Sequence, residues 1–396
     1  MEEFHRKLAS IRKVSEIRPI DGADNIELAI IDGWQCIIKK GELKAEQLCV
    51  YFEIDSFLPI RSEFEFLRKS SYKMMGDTGG FRLKTIKLRG QLSQGLAMPL
   101  DFFRETKCIT EESLNVTDTL KVIKYEPPQA PVRGSAITSK PKANFPLFVQ
   151  KTDLERVQNI WNKIQDCDEL FEVSIKLDGT SCTFYLNNGK FGVCSRNYEI
   201  EDENSFVSRA KNMLSLGYKV SKAIATFKWS RIPAIRSRFK LNGPNNVYWE
   251  MAERYKIKEL LKSYGKNIAL QGEIIGESIQ GNPEKIKGQE FHLFDVWDID
   301  KRCYYSINER DAFHFYFTPS IESKRTGTDR DEDNHIPYLN GIDKKKVSDF
   351  KSIKDILSYA DGPSVKAETR EGLAFKSYSS NLRFKVISNQ YLLKQG

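Results

Sequence analysis

From Tyr125 to Pro146 the chain reads YEPPQAPVRGSAITSKPKANFP, with five prolines in that one span. Proline has no backbone N–H to donate and a fixed φ, so neither a helix nor a central strand can run through such a stretch. No single core can be built across it, and 396 residues are too many for one ordinary core. The spacing predicts two domains, residues 1–125 and 147–396, joined by a linker over 126–146.

The first domain reads as short strands. AIIDGWQCIIKKG has strand composition and turn signals at Asp32-Gly33 and Gly41, and LCVYFEIDSFLPI is an aromatic, apolar run ended by proline. RLKTIKLRG, residues 82–90, reads as a further strand carrying Arg82, Lys84, Lys87 and Arg89. Short strands punctuated by Gly and Pro predict a small β-barrel. The four basic side chains either meet a polynucleotide backbone or are merely solvated.

The second domain opens on a helix signal. In KTDLERVQNIWNKI, Thr152 and Glu155 have capping-box spacing, and Leu154, Val157, Trp161 and Ile164 form an apolar face. FEVSIKLDG, SCTFYLNN, KFGVCSRN, NIALQGEIIG, FHLFDVWDI, GLAFKS and LRFKVI read as strands; SFVSRAKNMLSL and NNVYWEMAERYKIKELLKSYG read as helices. That order predicts an α+β domain with a largely antiparallel sheet. ESKRTGTDRDEDN, residues 322–334, reads as a charge-dense loop.

Several classes are excluded. No apolar run approaches the ~20 residues of a membrane span, and MEEFHRKLAS lacks the apolar core of a signal peptide. Seven cysteines without a CxxC pair predict reduced thiols rather than a disulfide framework. His5, His292, His314 and His335 are not spaced as metal ligands. An intracellular protein is expected, cytoplasmic or nuclear, monomeric and without an obligate protein partner. The net charge of +8 is modest, but residues 219–240, KVSKAIATFKWSRIPAIRSRFK, hold seven basic residues and no acidic one, with Phe227, Trp229 and Phe239 among them. Such a stretch suits either a solvated basic helix or a surface that binds phosphates and stacks bases; on the second reading Lys228, Arg231 and Arg236 contact nucleic acid.

Neither GxxxxGKS/T nor a convincing GxGxxG occurs, so a nucleotide would not be cradled by a P-loop. IKLDGTS, residues 175–181, offers another route. Strand alternation puts Ser174, Lys176 and Asp178 on one face and Val173, Ile175 and Leu177 on the other, while Gly179 permits a tight turn. Lys176 is then either a solvated strand-end residue or an amine pointed into a pocket.

IKLDGTS resembles motif I of the covalent nucleotidyltransferases, which comprise RNA ligases, DNA ligases and mRNA capping enzymes. In order downstream, SRN (195–197), LQGEIIG (270–276), FHLFDVWD (291–298), EGLAFKS (371–377) and RFKVISNQYLL (383–393) resemble that superfamily's motifs Ia, III, IIIa, IV and V. DNA ligases and capping enzymes carry an OB-fold domain after motif V, whereas only eleven residues follow Lys385 here. PIDGADNIE, YFEIDSFLP, RLKTIKLRGQLSQGL, KTDLERVQN and IQGN together are similar to the RNA ligases with an N-terminal OB domain. The implied fold is an OB-type barrel followed by an adenylyltransferase domain of largely antiparallel sheets with flanking helices.

The resemblance implies a role for each motif residue. Lys176 is the nucleophile that attacks the α-phosphate of ATP and becomes lysyl-AMP; Asp178 and Gly179 belong to the same motif. A free lysine is overwhelmingly protonated at pH 7, so the site must favour the neutral amine. Glu371 is the expected ligand of a divalent cation, magnesium or manganese, and Glu273 contacts ribose or the metal through water. Phe294 stacks on adenine, beside Asp295. Arg196 holds ribose or phosphate. Arg383 and Lys385, two apart on a strand, face the α-phosphate, though the family more often has lysine first. Lys151 and Lys376 are further candidates for the phosphates. The implied activity is an ATP-dependent RNA ligase that joins 3′-hydroxyl and 5′-phosphate ends, on free ends or nicked duplex, as in RNA repair. The alternatives are another covalent nucleotidyltransferase, a DNA ligase or capping-type enzyme, or a non-catalytic nucleic-acid-binding protein with this fold.

Overall fold

Short strands build the N-terminal domain of the computed structural model, which describes residues 7–126, 140–202, 246–317 and 336–395. Its strands are β1 (Ala9–Lys13), β2 (Glu16–Pro19), β3 (Ile26–Ile31), β4 (Trp34–Lys39), β5 (Leu48–Phe52), β6 (Ser56–Leu58), β7 (Tyr72–Met75), β8 (Thr78–Arg82), β9 (Ile86–Leu88), β10 (Gln91–Ser93), β11 (Leu96–Pro99) and β12 (Ile123–Lys124), with the short helix α1 (Arg68–Ser71) between β6 and β7. They pair as β1–β5–β11, β2–β3–β4, β12–β6–β8–β7 and a β9–β10 hairpin. Strand β5 is buried on both faces. Val50 and Phe52 join Ile11, Phe64, Phe81 and Phe103 in one apolar cluster, while Cys49 and Tyr51 join Trp34, Cys36 and Ile38 in another. The β3–β4 turn at Asp32-Gly33 has φ of 47° and 79°, as a two-residue type I′ hairpin requires.

RLKTIKLRG is not one strand. Strand β8 ends at Arg82, β9 begins at Ile86, and Arg89-Gly90 makes the next left-handed turn, with φ of 47° and 79°. Arg82 lies 4.5 Å over the Tyr125 ring, Lys84 is exposed, Lys87 donates to Leu393 O at 3.0 Å and Arg89 to Gly22 O at 2.8 Å. The four therefore do not form one basic face.

The second domain is two facing sheets. One joins β13 (Pro141–Asn144), β16 (Thr180–Asn187), β17 (Lys190–Cys194), β18 (Tyr198–Ile200), β19 (Ile268–Gly276), β20 (Gln289–Asp298) and β21 (Cys303–Tyr304) in the order β13–β18–β17–β16–β19–β20–β21. The other joins β14 (Glu155–Arg156), β15 (Leu170–Lys176), β22 (Asp343–Lys346), β23 (Gly372–Ser377) and β24 (Arg383–Ile387) in the order β14–β24–β23–β15–β22. Only the two-residue β14–β24 pairing among these is parallel. Residues 127–139 of the proline-rich stretch lie outside the described residues, but Pro141–Asn144 already pair with β18, so the second domain starts inside the expected linker.

Helices α3 (Val247–Arg254) and α4 (Ile257–Tyr264) pack Val247, Met251, Ile257 and Leu261 on Phe184 and Phe291 of the larger sheet. The sequence suggests one helix there; Lys256, at φ 49°, divides it, and Gly265, at φ 72°, closes the second part. Helix α2 (Val157–Ile164) starts later than its sequence signal. Its N-cap is Arg156, and no capping box forms. Thr152 instead bonds the Ser181 hydroxyl at 3.0 Å, and the Glu155 carboxylate accepts from Asn159 at 2.7 Å. The remaining α-helices among the described residues are α5 (Ile307–Phe317), α6 (Ile353–Tyr359) and α7 (Asn389–Gln395). The expected helix SFVSRAKNMLSL and the loop at 322–334 fall outside the described residues. Among the described residues no helix is long and apolar enough to cross a membrane.

Close approach of strands fixes Gly272. A Cβ at Gly272 would lie 2.3 Å from the Phe291 ring and 2.4 Å from His292 O. Gly272→Ala is therefore expected to lower the unfolding free energy by about 1–3 kcal/mol, read from urea denaturation against the unaltered protein; unchanged stability would mean that β19 and β20 are not packed this closely.

Candidate active site

The chain leaves the five-stranded sheet at Lys176 and enters the seven-stranded one at Thr180. That crossing brings the two sheets together. A Cβ on Gly179 would stand 2.3 Å from Ile274 O and 2.8 Å from Glu273 Cγ, so only glycine fits the crossing point. On the five-stranded side, Lys176 is in register with Gly372, Ser174 with Ala374, and Ala374 with Lys385. Small residues thus form the floor between the two lysines. The opposite face of the same strands, Val173, Leu373, Phe375, Phe384 and Val386, is fully buried in one apolar cluster. Strand period two has placed the chemistry on one face and the packing on the other.

Lys176 donates to Glu371 Oε2 at 2.5 Å. Burial by itself would push this ammonium's pKa down, but Glu371, then Glu273 and Asp178, outweigh it, and the pKa stands above the ordinary lysine value. The expectation of a neutral amine is therefore not met in the ligand-free protein: the carboxylates keep Lys176 charged. Glu273, in register with Ser181 on the neighbouring strand, is pushed up to about 8 by burial, Lys176 opposing and Glu371 and Asp178 reinforcing the shift. Asp178 accepts a hydrogen bond from the Tyr391 hydroxyl of α7.

Lys385 shows the opposite behaviour. Burial, with Lys176 and Arg156 as neighbouring cations, lowers its pKa to about 7. Arg196 donates to Asp153 Oδ1 at 2.6 Å. Burial would raise the Asp153 carboxyl, but Arg196, Lys124 and Lys385 hold it below its usual range. Lys151 is exposed beside Gln150, whose carbonyl accepts from Gln271 at 2.6 Å. Asp153 and Arg156 were not singled out from the sequence, although both lie in KTDLERVQN.

Phe294 occupies a β-bulge. Gln271 pairs with Asp295 and Gly272 with Leu293, so Phe294 is the extra residue. The bulge lets Phe291, Leu293 and Val296 all face one core. Its freed carbonyl accepts from Lys376 Nζ at 2.7 Å and from Arg310 at 3.2 Å. Asp295 is buried and receives Arg383 at 2.7 Å and Lys376 at 3.2 Å. Burial would raise its pKa, but Lys376, Arg383 and Arg310 keep it ionised. Burial lowers Lys376 to about 8. Asp295 and Lys376 thus brace the site from behind rather than line it. Arg383 is held by Asp295 and stacks 3.9 Å over the Tyr304 ring, which accounts for a planar guanidinium there. Lys228, Arg231 and Arg236 lie outside the described residues.

Among the described residues no three His, Cys, Asp or Glu side chains form a ready-made metal cage. Glu371, Glu273 and Asp178 nevertheless bear on one ammonium group. Hard carboxylate oxygens with surplus negative charge fit a magnesium or manganese ion that takes its other ligands from phosphate oxygens and water.

Comparison with known proteins agrees with this layout. An OB-fold domain family model matches residues 8–100, and an RNA ligase family model matches residues 234–387. No match was found among the curated proteins. Among solved structures, the chain is similar to an apo point mutant of Naegleria gruberi RNA ligase at 37% identity, covering 98% of each chain with a TM-score of 0.73. A point mutant of that ligase with ATP and Mn matches at 37% identity, 98% coverage of each chain and a TM-score of 0.72. The same ligase with PPi matches at 38% identity, covering 98% of this chain and 99% of the other, with a TM-score of 0.72.

The lowered pKa of Lys385 has a measurable sign. With a value of about 7, Lys385 is mostly neutral at pH 8, and an anion seated against it restores the ammonium form. Binding of ATP without divalent metal at pH 8 is expected to take up protons. Calorimetry in two buffers of different ionisation enthalpy measures this, and Lys385→Met should remove most of the uptake.

Proposed function

The chain belongs to the RNA ligase family, and we propose that it is an ATP-dependent RNA ligase sealing 3′-hydroxyl and 5′-phosphate ends through lysyl-AMP. One observation carries the reading. Lys176 stands at the crossing of two sheets, paired to Glu371 and flanked by Glu273, with Lys385 across a floor of small residues.

Each residue then has a task. The ammonium of Lys176 gives up its proton to solvent water, and its lone pair attacks the α-phosphorus of ATP. A P–N bond forms as the bond to the pyrophosphate oxygen breaks. Lys385, gaining a proton as phosphate approaches, offsets charge on the α-phosphate oxygens, and Arg196 is placed to assist. Glu273, whose carboxyl burial pushes up to about 8, can meet a ribose hydroxyl. Phe294 offers its ring to adenine, its backbone held by Lys376 and Arg310. Glu371, with Glu273 beside it, would hold a magnesium or manganese ion, whose positive charge would offset both the triphosphate and the carboxylates around Lys176. In the second step an oxygen of the RNA 5′-phosphate takes the adenylyl group and the P–N bond breaks, returning Lys176. In the third, the 3′-hydroxyl attacks the 5′-phosphorus, a phosphodiester forms and AMP leaves.

We assign the substrate as RNA ends or a nicked duplex and the acting form as a monomer. The role is one in RNA repair. All seven cysteines are free, which supports a reducing site of action in cytoplasm or nucleus. The N-terminal OB domain and the basic stretch with Lys228, Arg231 and Arg236 supply nucleic-acid contacts in this reading. In the OB domain these come first from exposed Lys84, because Lys87 and Arg89 are engaged with protein carbonyls and Arg82 lies over the Tyr125 ring.

Two experiments test the assignment. Incubation with α-labelled ATP and manganese should label the protein, and Lys176→Ala should abolish the label while the fold persists. Glu371→Ala and Lys385→Ala should each slow single-turnover labelling at least about a hundredfold. Wild-type labelling of the Lys176 variant sinks the reading, and preferential labelling by GTP moves it to the capping class. Replacing Lys228, Arg231 and Arg236 together by alanine should lower the slope of log RNA affinity against log salt by up to about three units, one for each phosphate that is no longer neutralised. An unchanged slope removes these residues from the RNA-binding surface.

A further inference from the structure

Behind the cleft lies a buried charge cluster that the catalytic steps do not use directly. Glu172, Lys376 and Arg383 are in cross-strand register on β15, β23 and β24, one row behind the row that carries Lys385. Arg310 enters from helix α5 and is 1% exposed; Glu172 is 5% exposed. The Arg310 guanidinium donates to Glu172 Oε1 at 2.7 Å, to Phe294 O at 3.2 Å and to Asp311 at 3.3 Å, and stands 4.0 Å from Asp295. The Tyr338 ring closes over it at 5.2 Å. A fully buried guanidinium needs such a set of acceptors, because leaving them unmade costs the full desolvation of a charge.

The hydrogen bond to Phe294 O is the informative one. A bulge residue has no ladder partner, so its orientation depends on what else holds its backbone. Here two cations hold it, Lys376 from the five-stranded sheet and Arg310 from α5. Lys376 alone is a point charge on a flexible stem; the planar guanidinium ties the same carbonyl to Glu172 in a fixed direction.

We propose that Arg310, anchored by Glu172, is a positioning residue that fixes the Phe294 bulge, and through it the ring that receives the adenine base. This rests on the assignment of Phe294 as the adenine-stacking residue. Arg310 does not touch the reacting atoms, so its loss should weaken nucleotide capture and leave the chemical step nearly intact. A mainly structural Arg310 would lower the yield of folded protein without moving the ATP dependence of what folds.

The test is single-turnover lysyl-AMP formation against ATP concentration. The variants are Arg310→Lys, Phe294→Leu, and Arg310→Met combined with Glu172→Leu, which removes the buried pair as a unit and keeps the protein foldable. In the Arg310→Lys and paired variants, half-saturating ATP should rise about tenfold, the scale of one charge-assisted hydrogen bond. The rate at saturation should stay within about twofold, as for an interaction that acts on binding. Combining Phe294→Leu with Arg310→Lys should add little to Phe294→Leu alone, since both act through one ring. A shift in Phe294→Leu with wild-type half-saturation in folded Arg310 variants overturns this inference alone. Wild-type half-saturation in Phe294→Leu overturns the stacking assignment and this inference with it.

Discussion

The chain must cross between two sheets within the few residues from Lys176 to Thr180, and the site depends on that crossing. The approach there is so close that a single Cβ at Gly179 would meet Ile274 O at 2.3 Å. The glycine lets β19 run directly beside the turn, which is why Glu273 reaches the lysine that ends β15. Glu371, immediately before β23, arrives by register, because Lys176 pairs with Gly372. Three segments far apart in sequence therefore converge by backbone geometry, before any side chain selects a rotamer.

Electrostatics then divides the two lysines of the cleft. Both are desolvated, yet Lys176 sits among carboxylates and is held charged, whereas Lys385 sits among cations and falls to about 7. Lys176 is thus masked by carboxylates, and Lys385 is poised to gain a proton. An incoming anion with its counter-cation reverses both conditions together: it stabilises the Lys385 ammonium and offsets the carboxylates that hold the Lys176 proton. The masking of the Lys176 amine is a consequence of charge placement.

How much of this was legible in the sequence follows from the range of each interaction. That Lys176, Glu273, Glu371 and Lys385 come together is readable because short strands announce their faces by period two and each lies in a compact segment. The OB-type domain is readable from its turns, Asp32-Gly33 above all. What resisted was long-range pairing. Glu172 lies two residues before Ser174 on the same strand face, so the alternation that points to Lys176 also points to it; its partner Arg310 lies in a helix with no distinguishing pattern. The Phe294 bulge depends on register with β19, which no local pattern encodes. Lys87 and Arg89 read as free cations, yet each finds a backbone carbonyl distant in sequence, at Leu393 and Gly22. The capping box at Thr152 and Glu155 has the right spacing, but Ser181 and Asn159 offer those side chains other partners.

The same long-range contacts bear on whether the two domains are separable. The motif residues all follow the proline-rich stretch, which suggests a nucleotide-handling domain independent of the first 125 residues. The structure ties the two together at the site. Trp34 of the OB domain lies 5.3 Å beneath the Arg156 guanidinium, one of the cations that depress Lys385. Lys124 stands 3.9 Å from Asp153, which in turn holds Arg196. Lys87 and Gln94 grip α7 at Leu393 and Asn389, and the same helix carries Tyr391 to Asp178. Removing the first domain would take Trp34 from Arg156, Lys124 from Asp153, and Lys87 and Gln94 from the helix that carries Tyr391. The OB domain is therefore part of the wall that sets charge and orientation around Lys176 and Lys385.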